Sequence, residues 1–538
     1  MSTQADRSEQ TDDGRRSFVS RTPVNDNPDR VEYRRGFVTK HQVSGWRFVM
    51  RRIASGVALH DTRMLVDPLR AQARAVLMGL LVLATVAAGC FVFTLIYPNS
   101  AAHDDPVLAD RATSALYVRV ADQLHPVLNL TSARLIAGRP VDPTIVRSAA
   151  LDKFPRGNLL GIPGAPERMV QSSARDADWT ACDSETGANP GITAIAGPLD
   201  TSGSRAAAID SQHAVLVTNE AGSWLLWDGK RSRIDLTDHA ITSALGLGDR
   251  SSALPAPRPV ANGLFNAIPE APALVAPIIP GAGAAPSFNL RPSAPVGAVV
   301  AAHALDGNDQ GTLRYYAVLD DGLQPISGVL AAVLRNTNSQ GLEQPPIVGA
   351  DEISRLPVSG QLDVSRFPEQ PVSVIDPVSA PVTCARWTKA AGASTNSLTL
   401  LAGSTLPLPE GVRTLDLVGA GLGSTAARVA MAPGYGYFVH SVNSDPTAPS
   451  STGPLFWVSD TGVRYGIDAE NGADTVSALG LTDAALPIPW AVLAQFAVGP
   501  TLSRGDALMA HDALMPDLHP GRQAAARLGS GSNGGESR

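Results

Sequence analysis

Residues 75–97, AVLMGLLVLATVAAGCFVFTLIY, run for 23 positions without a charge, between Arg74 and Pro98-Asn99. At 1.5 Å per residue a helix of this length spans about 34 Å, enough to cross a ~30 Å hydrocarbon core with slight tilt. A helix buried in a soluble protein seldom stays apolar on every side for so many turns, so the stretch reads as a membrane span. It is also too long, and too far from Met1, for the core of a cleaved secretory signal.

The charges around it give a direction. Residues 31–74 hold nine Lys/Arg against Glu32, Asp61 and Asp67, while the far side opens with Asp104, Asp105 and Asp110. Basic residues beside a span stay in the cytoplasm, which predicts a cytosolic N-terminus and an exported C-terminal body. Residues 1–74 carry net +5, which leaves −12 for the remainder of a chain whose total is −7. A nucleic-acid role needs basic clusters on the large domain, and it has none.

Upstream, residues 1–30 are polar and mixed in charge and are expected to be disordered. Residues 31–74 form a basic cytosolic arm. Within it Val43, Trp46, Met50, Ile53 and Val57 recur at helical spacing while Arg47 and Arg51 share another face. Such a helix can lie among lipid headgroups, dock in a partner's groove or pack in a small cytosolic bundle. Asp67-Pro68 reads as a cap and first-turn proline, with the helix then continuing unbroken into the span. Downstream, residues 98–112 read as a linker, 113–510 as the exported region and 511–538 as a disordered tail ending SGSNGGESR.

The exported part repeats itself. WLLWDGKRSRIDLTDHAITSALGL from Trp224 and FWVSDTGVRYGIDAENGADTVSALGL from Phe456 share a β-rich run, a glycine turn, a second strand ending in Ile-Asp and an identical Ser-Ala-Leu-Gly-Leu. Asp-Gly between apolar runs is a strong hairpin signal. Fainter copies begin at Leu116 and Arg314, and Pro-rich joints such as residues 268–286 lie between copies. Residues 287–312 and about 341–440 are expected to supply strands to a separate central domain, with LTLLAGSTLPLPEGVRTLDLVGAG reading as β throughout. The fold class is therefore α+β: a single transmembrane helix plus an elongated exported region of small strand-rich repeats around a central β-rich domain.

Chemistry is harder to find. Cys90 lies in the span; Cys182 and Cys384 lie on the exported side, where disulfides persist, and pairing with each other is the simplest arrangement. Two unrelated buried thiols are the alternative. No Cys-x-x-Cys or His-Glu-x-x-His occurs, so no metal site is signalled. A phosphate-binding loop needs Gly-x4-Gly-Lys-Ser/Thr, and Gly229-Lys230-Arg231 lacks both the upstream glycine and the hydroxyl. Asp320-Asp321-Gly322 reads as a turn and His125-Pro126 as structural. No residue stands out as catalytic or cofactor-binding.

Several long motifs are similar to a known family. HQVSGWRFVMRRIASGVALHDTRMLVDPLRAQARA before the span resembles the signature of EccB, a membrane component of ESX (type VII) secretion systems. LYVRVADQLHPVLNLTSARLI, LLGIPGAP (159–166) and PIPWAVLAQFAVGPTLSRGDAL are similar too, and SRTPVNDNP with YRRGFVTKHQVSGWRFVMRRIA looks most like the paralogue of the third, metal-acquisition-linked system. The resemblance implies a single-pass protein of the inner (plasma) membrane with a periplasmic domain of four repeat modules around a central domain, held by a disulfide. Its modules would resemble a phage-lysin cell-wall-binding fold. Its partners would be the EccC motor, EccD, EccE, the mycosin protease, further copies of itself and membrane lipids, with peptidoglycan a further candidate. The function expected is that of a structural subunit that scaffolds the secretion machine, with no cofactor. Two alternatives stand beside it: an ATP-hydrolysing component, because family members carry an ATPase label, and a peptidoglycan-binding anchor. An anchor would expose aromatics on the repeats, for which Trp224, Trp227, Trp457 and Trp490 are the candidates.

Overall fold

The shared Ser-Ala-Leu-Gly-Leu is a helix stop. In the computed structural model Gly246 and Gly480 sit at φ +78° and +77°, the left-handed backbone that glycine adopts without a Cβ penalty. Beyond them the N–H groups of Leu247 and Leu481 reach back to the carbonyls of Thr242 and Val476, at 3.0 and 3.2 Å. That closes a Schellman motif and turns the final leucine into the core. The two helices that end this way, His239–Ala244 and Gly472–Leu479, occupy the same place in two copies of one module. The structure describes residues 39–60, 68–96, 105–185, 190–248, 254–303, 313–419, 425–443, 453–468 and 472–514.

All four expected copies share one plan. Three antiparallel strands are followed by a helix, a segment that pairs in parallel with the first strand, a one-turn or two-turn helix, and a segment parallel to the third. In module 2 the strands are His213–Asn219, Gly222–Trp227 and Lys230–Ile234, flanked by Arg258–Pro259 and Glu270–Leu274. Module 4 uses Tyr437–Val442, Leu455–Val458 and Val463–Gly466, flanked by Leu486–Pro489 and Ala497–Val498. Module 1 uses Val107–Asp110, Leu116–Val120 and Gln123–Pro126, with Thr144–Val146 beside the first strand. Its first strand thus begins inside the expected linker 98–112, of which residues 98–104 lie outside the described set. Module 3 uses Val299–His303, Leu313–Val318 and Leu323–Ile326, with single parallel bridges at Ile347 and Val358. The helix starts follow side-chain chemistry: Asn129, Asp238 and Ser327 each accept an N–H from the first turn of modules 1, 2 and 3.

The central domain is a seven-stranded sheet in the order Thr414–Asp416, Arg428–Ala430, Gly191–Ala196, Ala177–Ser184, Val382–Lys389, Ser397–Gly403 and Ala207–Ala208. Two expectations need correction here. The segment 287–312 contributes Val299–His303 to module 3 instead of to this sheet, because that strand is the missing partner of the Leu313–Val318 hairpin. The run from Leu398 to Gly421 is not strand throughout: prolines 407 and 409 have no N–H to give a ladder, and the chain loops out between Gly403 and Thr414.

Burial fixes who neighbours whom. Helices Leu130–Ala137 and Gly472–Leu479 share a core that joins modules 1 and 4. Helices His239–Ala244 and Gly328–Thr337 share one that joins modules 2 and 3. Short helices Asn262–Ala267 and Trp490–Leu493 meet over the central sheet, around Leu264, Val492, Leu493 and Phe496. The end of the chain is no loose tail at its start: Ala510–His511 pairs with Leu159–Leu160 of module 1, and His511 Nε2 lies 2.9 Å from the Gly161 carbonyl. Residues 1–30 and 515–538, expected to be disordered, lie outside the described residues.

Among the described residues the N-terminal unit holds two helices. Helix α1 is Lys40–Leu59, and Gln42 closes its first turn by accepting the Thr39 N–H at 3.0 Å. Helix α2 is Pro68–Ile96, which confirms that the helix starting at Pro68 continues unbroken through the apolar stretch. Asp67, its expected cap, lies outside the described residues.

Candidate functional surfaces

Helix α2 is long and apolar enough to cross a membrane over Gln72–Phe93, and none of that window is buried by protein. On α1 the apolar series identified in the sequence is exposed, with Trp46 at 65 % and Val57 at 74 %. Neither helix presents a catalytic arrangement. Both present surface.

In the C-terminal unit, the residues that look reactive in the sequence hold the fold. Asp228 and Gly229 form a tight hairpin turn, both at positive φ. Lys230 stacks its ammonium 3.8 Å over the Trp227 ring and donates to the Ser365 carbonyl at 3.3 Å. Arg231 donates to the carbonyls of Phe265 and Ile268, pairs with Glu270 at 3.2 Å and stacks on Phe265. Module 4 repeats the device: Arg464, at the matching hairpin position, donates to the Leu493 carbonyl at 3.0 Å and stacks on Trp490. Burial pulls both guanidinium pKa values downward, with Glu270 partly offsetting it for Arg231. These arginines clip each hairpin to the end of its module's short helix, satisfying carbonyls that helices leave open. Sequence reasoning missed them because their partners lie about 30 to 40 residues away in the chain.

The hairpin tips also seat the modules on the central sheet. A Cβ on Gly229 would stand 2.5 Å from the Leu398 carbonyl oxygen, and one on Gly462 would stand 2.6 Å from a Val429 methyl. The other flagged residues are structural too. Ser359 and Gln361 bond the Asp321 carboxyl and hold its pKa below the usual carboxylate range, fixing the turn against the loop that follows. The His125 Nδ1 lies 2.9 Å from the Asn158 carbonyl. Trp224, Trp227 and Trp457 are buried in module cores, leaving Trp490, 51 % exposed, as the one candidate of the four on the surface.

Cys182 and Cys384 stand directly opposite each other on adjacent antiparallel strands of the central sheet, and their sulfurs are bonded. Both side chains are fully buried. Next to them lies an ion pair with no sequence signature. Arg258 of module 2 approaches Asp183 at 3.6 Å, with side chains only 2 % and 7 % exposed. Arg258 also donates to the Pro381 carbonyl at 3.1 Å and to the Thr383 hydroxyl at 2.9 Å. Asp183 accepts the Ala261 N–H at 2.9 Å. Desolvation outweighs these attractions and pushes the Asp183 carboxyl pKa upward. The disulfide ties two strands of the central sheet to each other, and the ion pair beside it binds module 2 to that sheet. Among the described residues no cluster of His, Cys, Asp or Glu could hold a metal ion.

Comparison with known proteins points in one direction. The family described as "Type VII secretion system ESX-1, transport TM domain B" matches residues 35–516. A Mycolicibacterium smegmatis protein named "ESX-3 secretion system ATPase EccB3" is 62% identical over 519 residues, covering 96% of this chain and 99% of the relative. Its namesake from Mycobacterium tuberculosis is 63% identical over 532 residues, covering 96% and 98%. Among solved structures, one described as "Structure of an intact ESX-5 inner membrane complex" is similar at a TM-score of 0.70 and 34% identity, over 91% of this chain and 99% of that one. Another, "Structure of EccB3 dimer from the ESX-3 core complex", is similar at 0.67 and 59% identity, over 76% and 100%. Carrying one apolar helix among its described residues, four modules and a disulfide-bonded central sheet, the chain belongs to the EccB family and is a component of the type VII (ESX) secretion machinery of the inner membrane, resembling the family's ESX-3 members.

Proposed function

We propose that the chain is a scaffolding subunit of the machine, with no nucleotide turnover and no cofactor of its own. It crosses the membrane once with α1 in the cytosol and the four modules in the periplasm. One observation carries this reading: the groups that look reactive in the sequence, Lys230, Arg231, Asp321 and His125, are engaged in holding the fold. Arg231, Arg464, Asp183 and Arg258 all bridge elements of the fold. The surplus of Lys/Arg in residues 31–74 supports the cytosolic placement of the arm. The dimer in the name of a solved relative supports self-association. The EccC motor, EccD, EccE and the mycosin protease are the proposed neighbours, with α1 and α2 offering the surfaces for the membrane subunits. The peptidoglycan-anchor reading loses three of its four aromatic candidates to burial and is not favoured.

The test is twofold. Single cysteines placed at the exposed Val57 and Val378 are treated in intact spheroplasts with a membrane-impermeant maleimide. Labelling of Val378→Cys and protection of Val57→Cys is expected, and the reverse pattern overturns the orientation. Affinity purification of the tagged chain from membranes is expected to recover EccC, EccD and EccE; recovery of the chain alone overturns the scaffold.

A further inference from the structure

A groove of about 740 Å³ opens where the central sheet meets module 4. One wall is the end of strand Val382–Lys389 and the turn 390–393; another is the segment 173–175; the third is module 4, through His440 and residues 482–487. The lining side chains are mostly small, among them Ser173, Ala174, Ala391 and Ala485. Hydrogen bonds fix the walls in place. The Asp176 carboxylate accepts the Ala391 N–H at 2.7 Å, and the Gln171 carboxamide bonds both main-chain groups of Asp483 at 3.2 and 3.3 Å. Trp179 Nε1 donates to the Pro487 carbonyl at 2.8 Å. The cavity is therefore preformed, and its volume falls in the range of small-ligand sites.

Its lining carries more cations than carboxylates. Nearby Arg386 is fully engaged, bonded by two nitrogens to Asp178 at 2.9 and 2.6 Å. Arg175 and Lys389 both line the groove, and among the described residues neither has a carboxylate within salt-bridge distance. The acids facing them are Asp483 on the lining and Asp176 behind it, which accepts the Ala391 N–H and keeps its charge. His440 places Nδ1 3.1 Å from the Ala485 carbonyl, an acceptor that fixes the proton on Nδ1 and leaves Nε2 with its lone pair. Desolvation and the Lys389 charge both push the His440 pKa downward, so the ring reports on the local potential. The lining itself carries two cations against one carboxylate, a local excess in a region of net −12 that favours small anions from solution.

We infer that this groove is a binding site for a small anionic ligand, one whose carboxylate or phosphate group sits between Arg175 and Lys389. An anion there cancels the repulsion from Lys389 and gives the protonated Nε2–H of His440 an acceptor. Binding therefore raises the pH at which His440 titrates, and it strengthens as pH falls through that midpoint.

The experiment uses the full chain in detergent, labelled with ¹³C at histidine Cε1, with His440→Gln to identify the signal. N-acetyl-diglutamate and inorganic phosphate are added separately, each against sodium chloride of equal ionic strength. An upward shift of the His440 midpoint by either probe, saturable and absent with chloride, is expected; the probe acting at lower concentration tells carboxylate from phosphate. Arg175→Gln with Lys389→Gln should weaken the response about tenfold or more, since a charge-assisted contact is lost at each position. Three results overturn the inference: no shift with either probe, an equal shift with chloride, or a full response in the double variant. The other histidine signals show whether that variant is folded.

Discussion

Replacing Cys182 and Cys384 together by alanine removes the one covalent link between distant parts of the C-terminal unit. The bridge spans a sequence separation of 202, for which the chain-entropy relation gives about 5 kcal/mol. That figure treats the whole intervening chain as flexible. Modules 2 and 3 lie inside the loop and share their own buried core, so they can remain folded when the central sheet opens. The flexible chain then shrinks to about 40 residues and the entropic term to about 4 kcal/mol. Both sulfurs are fully buried against Ile195, Ala206, Leu401 and Ala430, so truncation adds on the order of 1 kcal/mol of lost packing. The expected loss is about 5 kcal/mol. Trp179 and Trp387 are paired in the same two strands, three residues from the cysteines, and report on this sheet directly. Urea unfolding of the full chain followed by tryptophan fluorescence should show the central transition moving to lower denaturant, with the transition of modules 2 and 3 little changed. A loss below about 1 kcal/mol would refute the reasoning, because it would mean that the sheet's pairing alone holds these strands together.

Arg231→Ala and Arg464→Ala should each destabilise by about 2–4 kcal/mol, since buried carbonyls lose charged donors; thermal unfolding of each variant checks this, and no fall in Tm would contradict it. Gly229→Ala should destabilise by about 1–2 kcal/mol from left-handed backbone alone, and by more because its Cβ meets the Leu398 carbonyl. Asp183 has a raised folded pKa, so the folded state binds its proton more tightly than the unfolded state does. Stability from this group is therefore lost as pH rises from the ordinary carboxylate range through the folded value, and Asp183→Asn should flatten that part of the stability–pH profile. Ala84→Arg places a charge midway along α2 at a cost of about 2.5–3.5 kcal/mol for insertion, so membrane fractionation should show less of the chain in the bilayer.

Local rules made the span, the four hairpins and their helices legible: charge-free length for α2, Asp-Gly and Asp-Thr-Gly turns for modules 2 and 4, a glycine stop after each of their helices. The first strand of each module was not seen. His213–Asn219 and Tyr437–Val442 stand before the repeated text, and their partners become apparent only once the sheet forms. The flanking strands were hidden for a different reason. Glu270–Leu274 lies in the proline-rich stretch 268–286, which reads as a joint, yet it pairs in parallel with the third strand of module 2, since prolines are tolerated at a sheet edge. Side-chain function was the least legible level. Arg231 drew attention for following Gly-Lys, whereas its carbonyl acceptors at 265 and 268 are set by tertiary packing. Asp183 and Arg258 are 75 residues apart with no motif around either.

The measurement that bears most directly on a scaffolding role is ATP turnover by the full chain, purified to homogeneity in detergent beside a mock preparation. Lys230→Ala accompanies it in preference to any Arg231 variant, because Arg231 holds module 2 together. A scaffold gives no turnover above the mock in any chromatographic fraction. Turnover that follows the protein peak across fractions and falls in Lys230→Ala would contradict it, and would place a nucleotide site on the module 2 hairpin.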